Sequence, residues 1–365
     1  MQWFEIKDTA LLPTPSLVIY KDRMERNIDN LIGMCGDAAR FRPHVKTNKT
    51  AEVCVSMMQR GISKFKCATL AELQMLCEAG AKDVLLAYPL VGANIHGFIQ
   101  LQKKYPAAQL SFLVDNISMI PVLENAFAET KSQANIFIDV NIGMNRTGCS
   151  IENITAITNA VEAAKHLTLQ GFHGYDGHIH DGGKDERCRQ SMRCTQELRN
   201  FRKATEQQLG RQLQLIIGGS PTFACYLNDK DIQLSPGTFV FWDYNYKIHY
   251  PELPFDYAAL VITRIVSVLD KQHICLDLGH KAIASEMAQP RVSFFNLDNA
   301  TIVSQSEEHL VVKVPDTSIV QLGKIIYGIP MHICPTVALY DKANIIENNI
   351  VTGQWEVAAR TRFVK

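Results

Sequence analysis

The strongest constraint on this chain is an alternation that repeats eight times in its first two thirds. The short β-rich runs are FRPHVKT (41–47), KFKCAT (64–69), DVLLAY (83–88), QLSFLVD (109–115), NIFIDV (135–140), LQGFHGY (169–175), LQLIIGG (213–219) and QLSPGTF (233–239). Helical signals lie between them. Thr69 is placed to cap a helix through LAELQMLCEAG, with Glu72 completing a capping box and Gly80 as the stop. Ser150 precedes IENITAITNAVEAAKHL, whose apolar residues recur three and four apart. Residues 184–210 are long, charged and Gln-rich, and read as an exposed helix. Strands and helices in alternation make parallel βαβ units, and the simplest closure of eight is a (β/α)8 TIM-type barrel.

The pattern changes after Trp242. ALVITRIVSVLD, HICLDLG, RVSFFNL, TIVSQS, HLVVKV and IIENNIVTG read as antiparallel strands joined by turns. The expected organisation is therefore a barrel over residues 1–245 and a C-terminal antiparallel β-rich domain over 246–365. The first 20 residues, with LVIYKD after TPS, either pair with the second domain or lead into the barrel.

Charge narrows the function classes. The 37 Lys and Arg balance 37 Asp and Glu, which excludes a chain built mainly to coat nucleic acid or an acidic membrane. No apolar run approaches the roughly 18–20 residues of a membrane-spanning helix. MQWFEIKDTALLPTPS lacks the basic-then-apolar layout of a signal peptide. The ten cysteines are scattered and none forms C-x-x-C, so they read as reduced, mostly buried thiols of a cytoplasmic protein.

A barrel builds its site at the C-terminal ends of its strands. The residues there are His44, Lys46 and Lys49 after run one, and Asp139 and Arg146 at run five. Run six leads to Tyr175, Asp176, His178, His180 and Asp181. Run seven opens into Gly218, Gly219, Ser220, Pro221 and Thr222, and run eight into Gly237, Thr238 and Asp243. GGSPT after an apolar strand is either a plain turn or a phosphate cradle, in which glycines let backbone N–H groups approach an anion and a following helix adds positive potential. Lys46 is either a rim charge or a buried amine whose desolvation makes it a Schiff-base nucleophile. In the second domain, His332 and Cys334 lie two apart in GIPMHICPTV. Read as a strand, that spacing puts imidazole and thiol on one side, a pair that suits zinc but does not close a tetrahedral site. His178 and His180 form a competing pair, on which a cofactor-free metal hydrolase would rest.

FRPHVKTNKT (41–50) resembles the R-P-H-x-K-T-x-K signature of the D-threonine aldolase and D-serine dehydratase family, pyridoxal-phosphate enzymes with an alanine-racemase-like barrel. The resemblance continues through DVNIGMNRTG (139–148), GYDGH (174–178), GGSPT (218–222), SPGTFVFWD (235–243) and MHICPT (331–336). It implies Lys46 as the Schiff-base lysine, with Lys49 the near miss. It implies Arg146 and Tyr175 beside the cofactor, and Gly218, Gly219, Ser220, Gly237 and Thr238 as its phosphate cradle. His332 and Cys334 become ligands of a divalent metal, zinc first, with manganese or magnesium as alternatives. It also implies a head-to-tail homodimer and a small D-amino acid substrate.

Racemases of this fold carry an arginine where this chain has Ser235, which counts against a racemase. A non-enzymatic pyridoxal-phosphate carrier lacks the second domain and the metal pair. The remaining choice is between retro-aldol cleavage of a β-hydroxy D-amino acid and its dehydration. The loop GYDGHIHDGG supplies bases and favours the aldolase, with His178 expected to be catalytic beside Lys46; the cysteine ligand leans towards the dehydratase.

Overall fold

Short apolar segments buried on both faces are parallel strands wrapped by helices. The computed structural model, which describes residues 1–180, 182–362 and 364, arranges them in that way. Two compact units emerge: residues 31–46 with 53–237, and residues 1–30 with 47–52 and 238–360. Strands are numbered here from β1 (Ser16–Tyr20).

The first unit holds β2 (Lys64–Cys67), β3 (Asp83–Pro89), β4 (Gln109–Val114), β5 (Ala134–Val140), β6 (Leu167–Gly174), β7 (Gln214–Ile217) and β8 (Ile232–Leu234). They form one parallel sheet in chain order. The eighth stave is the segment around Pro43. Phe41 bridges Leu234 on one side and His44 bridges Lys66 on the other, both parallel. Arg42 N donates to Leu234 O at 2.8 Å and Val45 N to Lys66 O at 2.9 Å. Pro43 has no N–H to give, so this stave is held by bridges, not a full ladder. The barrel expected from the alternation is borne out. Arg42 is fully buried, and its guanidinium grips both oxygens of Asp83 at 2.7 and 2.9 Å.

Local chemistry sets the helices. Thr69 Oγ1 accepts from Glu72 N at 3.1 Å and opens the helix Leu70–Glu78; the Glu72 carboxylate in turn accepts from Ala68 N at 2.7 Å. After Ser150 the chain first makes a 3-10 turn, and the helix proper runs only over Ile154–Ala163. The helix Lys184–Leu209 corrects the expectation of an exposed helix. Arg187, Ser191, Thr195, Leu198, Arg202 and Thr205 form a buried stripe along it. The stripe is mostly polar, so a search for apolar periodicity passes over it. The thiol expectation is also corrected: Cys188 of this helix is bonded to Cys225, and the other eight cysteines are free.

The second unit is a nine-stranded sheet. Its further strands are β9 (Ala259–Val268), β10 (His273–Leu276), β11 (Val292–Phe294), β12 (Thr301–Gln305), β13 (Leu310–Lys313), β14 (Ile325–Pro330), β15 (Lys342–Glu347) and β16 (Ile350–Glu356). The N-terminal β1 is fully buried between β15, to which it is parallel, and β9, to which it is antiparallel. It thus takes the first of its two expected roles, pairing with the C-terminal sheet. Strand β14 went unread in the sequence, and it pairs with β9 and β11. MHICPT is not a strand. His332 is the extended N-cap of a short helix, Ile333–Val337, in which Cys334 is the second residue. Proline at 335 suits the first turn of that helix, where its missing N–H costs nothing.

Candidate active site

In the barrel unit, three cations surround one ring. Lys46 Nζ and Lys66 Nζ each lie 5.9 Å from the centroid of Tyr175, and Arg146 Cζ lies 5.0 Å from it. Lys46 follows directly on the stave that closes the barrel, and its N–H donates to His44 Nδ1 at 3.3 Å. Lys49, the near miss, belongs to the other unit, where its ammonium donates to Ala359 O at 3.4 Å.

Lys66 is buried and donates to His173 Nε2 at 3.1 Å. His173 Nδ1–H in turn meets Asp139 Oδ1 at 2.6 Å, and Thr147 Oγ1 donates to Asp139 Oδ2 at 2.9 Å. Burial, then the charge of Lys66, pushes the His173 pKa down, so the ring is neutral. Burial raises Asp139, but the interaction with His173 and the Thr147 hydrogen bond outweigh it and hold the carboxyl below its usual range. Burial and the neighbouring charge of Lys46 push Lys66 down to about 7.

The GGSPT loop backs onto the same ring. Gly218 has φ +78, and a Cβ on Gly219 would meet the Tyr175 ring at 3.0 Å. Gly237 N donates to Ser220 Oγ at 3.1 Å, which draws the strand-eight loop to the strand-seven loop. Thr222 Oγ1 is buried without a partner among the described residues. The helix expected after GGSPT is only a four-residue 3-10 turn, Phe223–Tyr226, so no helix field helps here. Asp176 stands behind the loop. It accepts Gly219 N at 3.2 Å and the Tyr226 hydroxyl at 2.8 Å. Both nearby carboxylates, Asp139 and Asp176, are therefore already engaged. The surplus positive charge, an orphaned hydroxyl and a glycine loop together fit an anionic, phosphorylated ring such as pyridoxal phosphate.

His178 lines a cavity of about 580 Å³ with Asn141, Glu152, Arg193 and Cys194. Its Nδ1 is buried without a partner, and Gly143 must lack a Cβ to make room for the ring. Asp176 is too committed to serve as a base, His180 is exposed, and Asp181 lies outside the described residues. Ser235 donates its hydroxyl to Arg42 O at 3.1 Å.

In the other unit, His332 and Cys334 do share a site, through a helix start instead of a strand. His332 Nδ1 meets Glu286 Oε1 at 2.5 Å. Cys334 Sγ lies 3.0 Å from Thr47 Oγ1 and 3.7 Å from Thr238 Oγ1. Asp243 accepts Tyr246 N at 2.9 Å and Ile333 N at 3.1 Å, and so fixes the turn that presents the pair. Burial raises the Asp243 pKa to about 6. Burial opposes charge on His332, but Cys334, Glu286 and Asp243 outweigh it and push the imidazole up to about 9. Among the described residues no three His, Cys, Asp or Glu side chains form a metal-binding group. An imidazole oriented by a carboxylate, beside a thiol, fits a site with two protein ligands completed by other donors.

The chain is similar to known proteins over most of its length. Residues 19–244 match the alanine racemase N-terminal domain, and 258–346 match a serine dehydratase domain. A D-threonine aldolase of Arthrobacter is 25% identical over 96% of this chain and 93% of its own length. A 3-hydroxy-D-aspartate aldolase of Paracoccus denitrificans is 26% identical over 97% and 93%. The crystal structure of D-threonine aldolase from Filomicrobium marinum superposes with a TM-score of 0.86 at 24% identity, covering 96% of this chain and 95% of that one. Two mutants of D-threo-3-hydroxyaspartate dehydratase superpose at 0.81 and 0.79 with 20% identity, over 95% and 96% of this chain and 97% and 96% of theirs. The chain belongs to the alanine racemase N-terminal domain family, within the group that unites D-threonine aldolases and D-serine dehydratases. The kinship read from its motifs is thereby borne out.

Proposed function

We propose that the protein cleaves β-hydroxy D-amino acids by a retro-aldol reaction, giving glycine and an aldehyde, with pyridoxal phosphate held on Lys46. The observation that carries this is the convergence of Lys46, Lys66 and Arg146 on Tyr175 beside the Gly218–Thr222 loop. Lys46 would hold the cofactor through its amine, the loop its phosphate, and Tyr175 its ring face, with Gly237 and Thr238 on the strand-eight loop. Bound there, the cofactor supplies an electron sink for the pair of electrons left at Cα.

His178 takes the proton from the β-hydroxyl. It has a ring nitrogen that no other described group uses, whereas Asp176 does not. Arg146 and Lys66 contribute the positive charge that binds an anionic ligand. The two aldolase relatives support cleavage over dehydration.

His332 and Cys334 would hold a divalent metal, zinc by the softness of the donors, which supplies Lewis acidity towards an oxygen ligand. The two dehydratase mutants change a histidine and a cysteine two positions apart, and one is described as metal-free. That spacing is the one here, and it favours dehydration to a 2-oxo acid and ammonia as the second reading. The assembly proposed is a head-to-tail homodimer.

Product analysis separates the readings. Acetaldehyde and glycine from D-threonine are expected. 2-Oxobutanoate and ammonia would establish the dehydratase. Borohydride reduction should fix the pyridoxyl group on the Lys46 peptide, and no chromophore after reconstitution overturns the cofactor assignment.

A further inference from the structure

Lys66, His173 and Asp139 come from β2, β6 and β5, so only the closed barrel brings them together. All three are almost completely buried. Among the described residues the amine has no carboxylate in direct contact, since the His173 ring stands between it and Asp139. A buried amine held by a neutral ring is a poor structural choice, because an apolar side chain of similar length avoids its desolvation. The arrangement does suit a charge that must be fixed in place. Asp139 pins the Nδ1 proton of His173, which leaves Nε2 as an acceptor and aligns the Lys66 amine. Lys66 then lies as far from the Tyr175 centroid as Lys46 does.

We propose that Lys66, aligned by His173 and Asp139, is a positioning residue whose charge sets the protonation state of the chromophore at Lys46. The inference rests on the reading of Lys46 as the cofactor lysine. The other charged groups that face Lys66 are Lys46 and Arg42, which oppose its proton, and Asp139 and Asp176, which favour it. Tyr175 offers it a ring face, and Arg146 acts on its partner His173. An anionic cofactor adds negative charge, so Lys66 becomes the protonated neighbour of the imine and disfavours a second proton there.

The test is a pH titration of the visible absorbance of reconstituted holoenzyme, in the wild type and in Lys66→Met, Lys66→Gln and Lys66→Arg. Gln keeps a hydrogen bond to His173 without charge, and so guards against a folding defect in the Met variant. Both neutral variants should raise the chromophore's midpoint by about one pH unit, a tenfold change in proton affinity. Arginine should hold it near the wild-type value. Loss of the chromophore in Met and Gln with its retention in Arg also supports the proposal. Midpoints in Met and Gln that match the wild type overturn it, as does an Arg variant that shifts as far as they do. A wild-type protein that never becomes yellow removes instead the cofactor reading beneath it, as does a borohydride label on Lys66.

Discussion

Replacing Lys66 by Met should stabilise the cofactor-free protein at neutral pH and destabilise it at high pH. Burial and Lys46 take the amine from its ordinary 10.5 to about 7. At about 1.4 kcal/mol per pH unit, burying Lys66 costs about 4 kcal/mol at pH 7. The sign follows from linkage. Between about 7 and 10.5 the unfolded chain binds the proton more tightly than the folded one, so wild-type stability rises with pH through that window and is level on either side of it. Methionine removes the titration but leaves His173 Nε2 without its donor, at a cost of about 1–3 kcal/mol. The net gain at pH 7 is about 1–3 kcal/mol. Well above pH 10.5 the amine is neutral in both states, and only the lost hydrogen bond remains, so the variant should be weaker by about 1–3 kcal/mol. Urea titrations of both proteins at several pH values read the difference directly. A difference that does not change with pH, or a variant weaker than wild type at pH 7, refutes the reasoning.

Other outcomes follow from the same structure. Denaturation in alkylating reagent without reductant should label eight cysteines, because Cys188 and Cys225 are bonded; ten labels would show that the bond does not form. The bond closes a stretch of 37 residues, so its removal by Cys225→Ser should lower stability by about 3–4 kcal/mol in a denaturant titration. Glu286→Gln should weaken metal binding by about tenfold in a chelator competition, since Glu286 orients His332. An affinity equal to wild type would leave Glu286 a surface contact. Asp243→Ala frees two backbone N–H groups, of Tyr246 and Ile333, and should cost about 2–4 kcal/mol by thermal or urea unfolding.

The barrel was legible because each stave is a short apolar run between helical segments, and that pattern survives without tertiary information. Even the bridged stave at Pro43 was read, since its motif marks it where its ladder does not. The C-terminal sheet was legible only in part. IIYGIP is as apolar as its neighbours, but the motif after it drew the reading, and β14 was missed. β1 could be placed only by long-range pairing, with β15 lying 326 residues on at Leu17 and Ala343. The helix Lys184–Leu209 shows the converse failure. Its buried face is mostly Arg, Ser and Thr: Arg202 donates to Asp231 O at 3.0 Å, and Thr195 bonds back to Ser191 O of its own helix at 2.8 Å. A hydropathy scale reads such a face as solvent-exposed.

The site separates along the same physical line. Residues in loops after the strands, such as Lys46, Arg146 and Tyr175, could be found because a barrel sends its loops to one end. Lys66 and His173 could not, since they sit within strands, where a polar residue between apolar ones is ordinarily assigned to the solvent face. In a closed barrel the alternate face points inward, and in KFKC Phe65 and Lys66 are both buried, on opposite sides of the sheet. The usable signal was therefore the alternation of Lys66 with Phe65, which puts the lysine on the opposite side of the sheet from that ring. Neutral His173 and ionised Asp139 show why the parity matters. An inward lysine without a partner would be an uncompensated buried charge, so finding one obliges a search of the facing strands for its acceptor. That search, made across β2, β5 and β6, leads to a single hydrogen-bonded chain ending at Thr147, on the loop that also carries Arg146.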